Sequence, residues 1–409
     1  MKPQEINIED YSYNLPSERI AQHPVSQRDN SKLLIASDKI DEDGFIHLAD
    51  YLPDNALMIF NDTKVFHARM VFRKITGAKI EVFLLEPISP TTETEQAFQQ
   101  KSGIIWKCLV GNLKKWKEGK LFADFTLKGK DIRVEITHKG SEGNSQFIEF
   151  EWNNQEILFG EIVENAGAIP LPPYMNRPVE EDDSQRYQTI YARQEGSVAA
   201  PTAGLHFTNK VMKSLAAKGI RTDYVTLDVG AGTFKPVKSS RMADHQMHTE
   251  KVYISIETIE HLLEVVETRK IIAVGTTTTR TLESLYWFAM KLKTDAQAVF
   301  EIHQWDPYKY VKKEMISPKS ALEIVKYHMI KNKISILKGQ TQLIIAPGYS
   351  FKFISLLITN FHQPKSTLLL LVAAFYGHGW KDAYQFALDN NFRFLSYGDS
   401  CLFIPKASS

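Results

Sequence analysis

The sequence predicts a mixed α/β chain whose main unit is interrupted by a smaller all-β module. Three observations carry this. From residue 155 onward helical and strand signals alternate, the pattern of an α/β core. Between residues 66 and 154 the chain instead shows short, partly alternating apolar runs separated by turn signals. Finally, 409 residues with 43% hydrophobic and 24% charged content can bury a large core, which excludes a disordered chain.

The elements follow in order. Residues 13–21 pair a proline turn with a helical start, for which Ser17 is the expected cap. Residues 56–60 (ALMIF) form a strand that Asn61, Asp62 and Thr63 end. Strands of the β module are expected at 80–85, 105–110, 132–136 and 146–150, with 87–103 an exposed loop. Beyond it come an amphipathic helix over 210–218 ended by Gly219, a strand over 223–229 and a helix over 256–269. Strands are then expected at 271–274, 343–346 and 353–359.

Composition narrows the function. The net charge of +1 gives no global field for nucleic acid, so any such surface is local. Cys108 and Cys401 have neither a metal-site spacing nor a disulfide framework, which fits the reducing cytoplasm. The start, MKPQEINIED, lacks the apolar run of a secretory signal. The apolar run 368–376 falls short of the roughly 20 residues that a spanning helix needs, so it is expected in the core, with no membrane partner.

Four loop motifs carry the chemistry. AAPTAGLHF (199–207) offers Thr202, Gly204 and His206 from a shaped loop, with a structural turn carrying a core-facing His as the alternative. VGAGTF (229–234) follows a strand and brings Gly230, Gly232 and Thr233, glycines that let backbone N–H groups approach a ligand. It lacks the third glycine of a dinucleotide fingerprint. His245 and His248, near Asp244 and Glu250, have no third ligand at a characteristic spacing, so no metal is expected. AVGTTTTR (273–280) is a strand that opens a helix through glycine and hydroxyls, an anion- or ribose-binding arrangement with Thr276, Thr277 and Arg280. Helix capping is its alternative reading, and a surface i,i+3 pair that of Arg280 with Glu283. The C-terminal part adds Asn360, His362 and Ser366, and then Tyr397, Gly398 and Asp399, each cluster having a plain hydrogen-bonded turn as its alternative reading.

Taken together, these segments resemble the S-adenosylmethionine:tRNA ribosyltransferase-isomerases of queuosine biosynthesis. The matching stretches are FNDTKV (60–65), IPLPPYM (169–175), YQTIYA (187–192), VAAPTAGLHF (198–207) and VTLDVGAGTFKPV (225–237). They continue with HQMHTE (245–250), AVGTTTTRTLES (273–284), ITNFHQPKSTLLLLVAAFYG (358–377) and FRFLSYGDSCLFI (392–404). The order is the family's, and the stretches span nearly the whole chain.

The resemblance implies transfer and isomerisation of the ribosyl group of S-adenosylmethionine onto 7-aminomethyl-7-deazaguanine at the tRNA wobble position. S-adenosylmethionine is then a co-substrate, and neither metal nor redox cofactor is implied. It also implies a barrel-like α/β catalytic domain, here residues 1–65 and 155–409, interrupted by a β-barrel-like domain over 66–154. A monomer is expected. For the site it suggests His206, His362, Asp228 and Asp399 as catalytic candidates. Thr202, Gly204, Gly230, Gly232, Thr233, Thr276, Thr277, Arg280, Glu283 and Asn360 are the expected S-adenosylmethionine contacts.

Residues 101–140 hold ten Lys or Arg against four acids. Lys114, Lys115, Trp116, Lys117 and Lys120, extended by Arg69 and Arg73, form the expected tRNA grip, in which cations meet phosphates and an aromatic stacks a base. A charged, solvated hairpin is the alternative. Two departures from the family stand out: Phe66-His67 replaces an apolar-proline pair, and residues 293–335 look like an added surface segment. Two rival readings are a methyltransferase, against which the missing N-terminal glycine-rich turn speaks, and a non-catalytic RNA-binding protein. The latter should have lost His206, Arg280 and His362.

Overall fold

The computed structural model describes residues 2–230, 232, 237, 239–310 and 314–405. Thr233, one of the expected ligand contacts, lies outside them.

The α/β unit is built on a mixed ten-stranded sheet. Its order is Glu301–Ile302, Ile336–Thr341, Glu250–Ser255, Arg221–Leu227, Leu57–Asn61, Ile271–Val274, Leu356–Asn360, Ser400–Phe403, Lys32–Ala36 and Ile40–Gly44. The four strands at its centre, from Arg221–Leu227 to Leu356–Asn360, are mutually parallel. Three of them are buried along their whole length, because helices and loops cover both faces of the sheet. Their near-continuous apolar sequences reflect that. The sheet is open, and closure belongs to the inserted module.

That module is an antiparallel barrel of six strands: Arg69–Arg73, Lys79–Ser89, Ile104–Val110, Ser145–Trp152, Lys130–Glu142 and Leu121–Leu127. The pair Arg73 and Phe122 closes it. Alternate residues such as Phe72, Val82, Trp106, Val134 and Phe150 fill the inside. The mixed α/β class with an inserted β barrel is therefore the fold that the sequence predicts.

Three local expectations change. Residues 343–346 are buried but form no strand; the strand lies just before them, at Ile336–Thr341. Residues 87–103 are not an open loop, since Thr94–Phe98 is a short helix that buries Ala97 and Phe98 against Phe66 and Trp106. Residues 293–335 are not surface decoration. Glu301–Ile302 extends the sheet edge, and the helix Pro318–Lys331, capped by Ser317, buries Ala321, Leu322, Val325 and Met329 in the main core.

The parallel run matters for function. All four central strands end at one edge, where Asn61, Asp228, Gly275 and Asn360 stand at or just beyond the last strand residues. Carboxyl ends of parallel strands are where open α/β sheets bind ligands.

Candidate active site

Two cavities open at this edge and share Val229. The first is lined by Thr202, Thr276, Thr277, Asn360, His362 and Ser396, together with apolar groups, and among the described residues none of its lining side chains is an acid, a lysine or an arginine. The second lies against the barrel and is charged: Asp228, Lys251, Glu250, Lys107 and Glu86 line it, with Gly230 and Gly232.

The uncharged cavity takes its shape from helix and strand ends. Gly275 (φ 92°) sits between the strand Ile271–Val274 and the helix Thr276–Thr294, in a conformation that side-chain-bearing residues avoid. The hydroxyls of Thr278, Thr279 and Thr281 bond back to carbonyls four residues earlier. Thr276 and Thr277 stay at the cavity wall, at the positive end of a long helix. On the opposite side Ser366 caps the helix Thr367–Tyr376 by accepting from Leu369 N.

His206 does not face the solvent side of the cavity. It is buried, with Nδ1 2.8 Å from Ser31 Oγ and Nε2 3.1 Å from Asn360 Nδ2. The same Asn360 amide donates to Leu395 O at 3.2 Å, a carbonyl that can only accept. That fixes Asn360 Nδ2 as the donor to His206, so the imidazole carries its proton on Nδ1 and gives it to Ser31. Burial, then Arg393 and Arg28, push the His206 pKa down to about 3. His362 lines the cavity, bonds Thr359 Oγ1 through Nε2 at 2.9 Å, and is lowered to about 3 by burial. Both rings are neutral hydrogen-bonding groups near neutral pH.

Asp228 follows the strand Arg221–Leu227 and faces the charged cavity. Burial raises its pKa to about 7, against an opposing pull from Lys251 and the Thr63 hydroxyl. A carboxyl poised near neutrality in a cleft suits a general base. Its surroundings come from residues to which the sequence reading gave no role. Ser197 Oγ bonds Thr63 Oγ1 at 2.7 Å and accepts from Val229 N at 2.7 Å. Asn61, fully buried, accepts from Leu227 N and donates to Leu227 O, both at 3.0 Å, and so holds the strand end that carries Asp228. FNDTKV was a signal for Asn61 and Thr63; nothing in the sequence marks Ser197.

Other candidates lie apart from both cavities. Asp399 is buried and accepts from Lys32 N at 3.0 Å and Arg393 N at 2.7 Å, tying the C-terminal loop to the sheet. Gly204 packs against the Tyr191 hydroxyl. Arg280 and Glu283 are not a surface pair: both are buried on the helix Thr276–Thr294. Arg280 binds Glu250 and Leu343 O, while the Glu283 carboxylate accepts from Tyr349 Oη, Lys352 N and Phe353 N at 2.8–3.0 Å. Among the described residues no cluster of three His, Cys, Asp or Glu could hold a metal.

On the barrel, Lys114, Lys115, Lys117 and Arg73 are exposed. Arg69 is engaged by Glu81 through two bonds of 2.8 Å, and Lys120 by Glu135 and Glu151. Trp116 is not available for stacking from the surface; it is buried, and its indole N–H bonds Gly119 O at 2.9 Å.

The family model for a queuosine biosynthesis protein matches residues 8–403. The chain belongs to this family. Among queuosine biosynthesis relatives, proteins named S-adenosylmethionine:tRNA ribosyltransferase-isomerase are similar over nearly their whole length. That of Halothermothrix orenii is 37% identical, the alignment covering 98% of this chain and 100% of that one. That of Treponema denticola is 36% identical, with 97% and 99% covered. A crystal structure of the S-adenosylmethionine tRNA ribosyltransferase from Thermotoga maritima is 27% identical over 97% of this chain and 100% of that chain, with a TM-score of 0.46. Among the described residues no helix is long and apolar enough to cross a membrane.

Proposed function

We propose that this chain transfers the ribosyl group of S-adenosylmethionine to 7-aminomethyl-7-deazaguanine at the tRNA wobble position and isomerises it to the epoxycyclopentane of epoxyqueuosine, releasing adenine and methionine. The observation that carries this reading is convergence: the family's segments 198–207, 225–230, 273–284 and 358–377 all reach one edge of the sheet.

The chemistry begins at the sulfonium, which acidifies the neighbouring C5′ protons. Asp228 is the base assigned to this step, because it is the carboxyl at the site whose burial leaves it able to take a proton near pH 7. Loss of that proton opens the ribose and expels adenine. The aminomethyl nitrogen of the tRNA base then adds, and closure to the epoxide expels methionine. His206 and His362, held neutral, supply hydrogen bonds rather than protons in store. Leu85, Glu86, Lys107 and Leu109 of the barrel form one wall of the charged cavity. We place the tRNA across Arg73, Lys114, Lys115 and Lys117, the protein in the cytoplasm, and the working unit as a monomer.

The test is release of free adenine from S-adenosylmethionine in the presence of precursor-containing tRNA. Stoichiometric adenine that depends on the precursor supports the reading. S-adenosylhomocysteine in its place would make the protein a methyltransferase. No turnover by folded protein would favour a non-catalytic RNA binder.

A further inference from the structure

Among the described residues that line the uncharged cavity, one side-chain polar atom is both buried and without a hydrogen-bond partner. Asn360 is 2% exposed, and its Nδ2 is committed to His206 Nε2 and Leu395 O. Its Oδ1 is buried without a hydrogen-bond partner, and Asn360 is one of the residues that line the cavity. A buried amide oxygen left unpaired is costly, and such groups are satisfied in the working state. The orientation is enforced from behind. Leu395 O, which can only accept, sets the direction of the Asn360 amide; with the amide so held, His206 Nε2 accepts from it and Nδ1 donates to Ser31 Oγ.

The partner must be a donor and must be neutral. Among the described residues the cavity lining offers no charge to compensate a buried ammonium or carboxylate, whereas the adjoining cavity beyond Val229 is rich in charged groups. Two uncharged parts of S-adenosylmethionine carry donors, the ribose hydroxyls and the adenine N–H₂; the flat ring suits the apolar wall, while the ribose suits the hydroxyls of Thr276 and Thr277. The sulfonium and the amino-acid end belong on the charged side. Pro201, Val229 and Leu395 supply apolar wall for the ring.

We infer that Asn360 Oδ1 accepts a hydrogen bond from the 6-amino group of the adenine ring, and that His206 and Ser31 are positioning residues that hold the amide in the accepting orientation. The inference rests on S-adenosylmethionine being the ribosyl donor.

It is tested by calorimetric binding of S-adenosylmethionine and of its deaminated analogue, which carries a 6-oxo group in place of the amine. Wild-type protein is expected to bind the analogue about ten- to hundredfold more weakly. Asn360→Ala should bind the two nearly alike. His206→Ala should also lose most of the preference, and His206→Gln, whose side-chain oxygen can accept from the Asn360 amide, should restore part of it. A residue with only a structural role would weaken both ligands equally and leave their ratio unchanged. That result, or equal binding of both ligands by wild type, overturns the inference. The wild-type comparison stands even if a variant fails to fold. Equal binding with precursor-dependent adenine release intact would overturn only the adenine contact, whereas folded protein that binds neither ligand would also overturn the proposed reaction.

Discussion

Gly196 lies against the Asp228 carboxylate so closely that a Cβ built on Gly196 would stand 2.2 Å from Oδ1 and 2.5 Å from Cγ. No side chain fits there without moving the carboxyl. Gly196→Ala should therefore displace the assigned base while leaving the barrel and the uncharged cavity in place. A misplacement on the order of 1 Å costs about a hundredfold in rate. Single-turnover adenine release should fall by about that factor, with S-adenosylmethionine affinity changed much less.

Asp228 also sets a pH dependence. With its pKa raised to about 7, the fraction able to accept a proton grows as pH rises through neutrality, so adenine release should climb between about pH 6 and 8. Asp228→Asn should abolish release. The stability sign runs the other way. Below the unfolded carboxyl pKa of about 4 both states are protonated and the aspartate costs nothing. From there to about pH 7 the unfolded state ionises first, so folding becomes progressively less favourable. Thermal melts of wild type and Asp228→Asn should diverge with rising pH, the variant melting higher at pH 8.

The two buried histidines act in the acid range. Their folded pKa values of about 3 lie below the ordinary value near 6.5. The stability they contribute is present above about 6.5 and is lost as pH falls toward 3, because the unfolded chain takes up protons that the fold refuses. Melting temperature should drop steadily from pH 7 to pH 4.5. His362→Gln should flatten that slope, as read by calorimetric melts across the range.

Arg280 and Glu250 form a buried ion pair that joins the helix Thr276–Thr294 to the strand Glu250–Ser255. Removing one partner leaves a charge stranded. Arg280→Met should destabilise the fold by about 3–5 kcal/mol, measured by denaturant unfolding.

The barrel separates affinity from stability. Replacing Lys114, Lys115 and Lys117 by alanine should weaken tRNA binding and lower the slope of log affinity against log salt by about 0.9 per lost contact, or about 0.7 where the contacted strand is single. S-adenosylmethionine binding should not change. Trp116→Ala should instead lower stability, since the ring is buried beside His138.

Much of this architecture was legible in the residues because period and turn chemistry are local. The strand Ile271–Val274 coincides with the apolar run that predicts it, and the helix Asn209–Ala217 lies within a residue of the one expected over 210–218. Residues 343–346 misled because an apolar run signals burial, not conformation, and these residues are buried without pairing as a strand. Trp116 misled for a related reason: lysines on either side imply a surface, but the fold turns the one large apolar side chain inward.

The site was legible only in part. Hydroxyls and glycines at strand ends located Thr202, Thr276, Thr277 and Asn360, which the fold does bring to one cavity. Titratable type alone did not separate His206, sequestered between Ser31 and Asn360, from Asp228, poised at a cleft. Arg280 and Glu283 read as a helix pair by spacing, yet each is satisfied by a segment distant in sequence. Burial and long-range partners decide such roles, and neither is written in local spacing.

The most direct test follows the atoms of S-adenosylmethionine. With carbon label in the ribose, the label should appear in the tRNA base as one added epoxycyclopentyl unit, in step with free adenine. With label in the methyl group, it should remain in released methionine and never enter the tRNA. Methyl label in the tRNA, or ribose label that stays with adenine, would contradict the account.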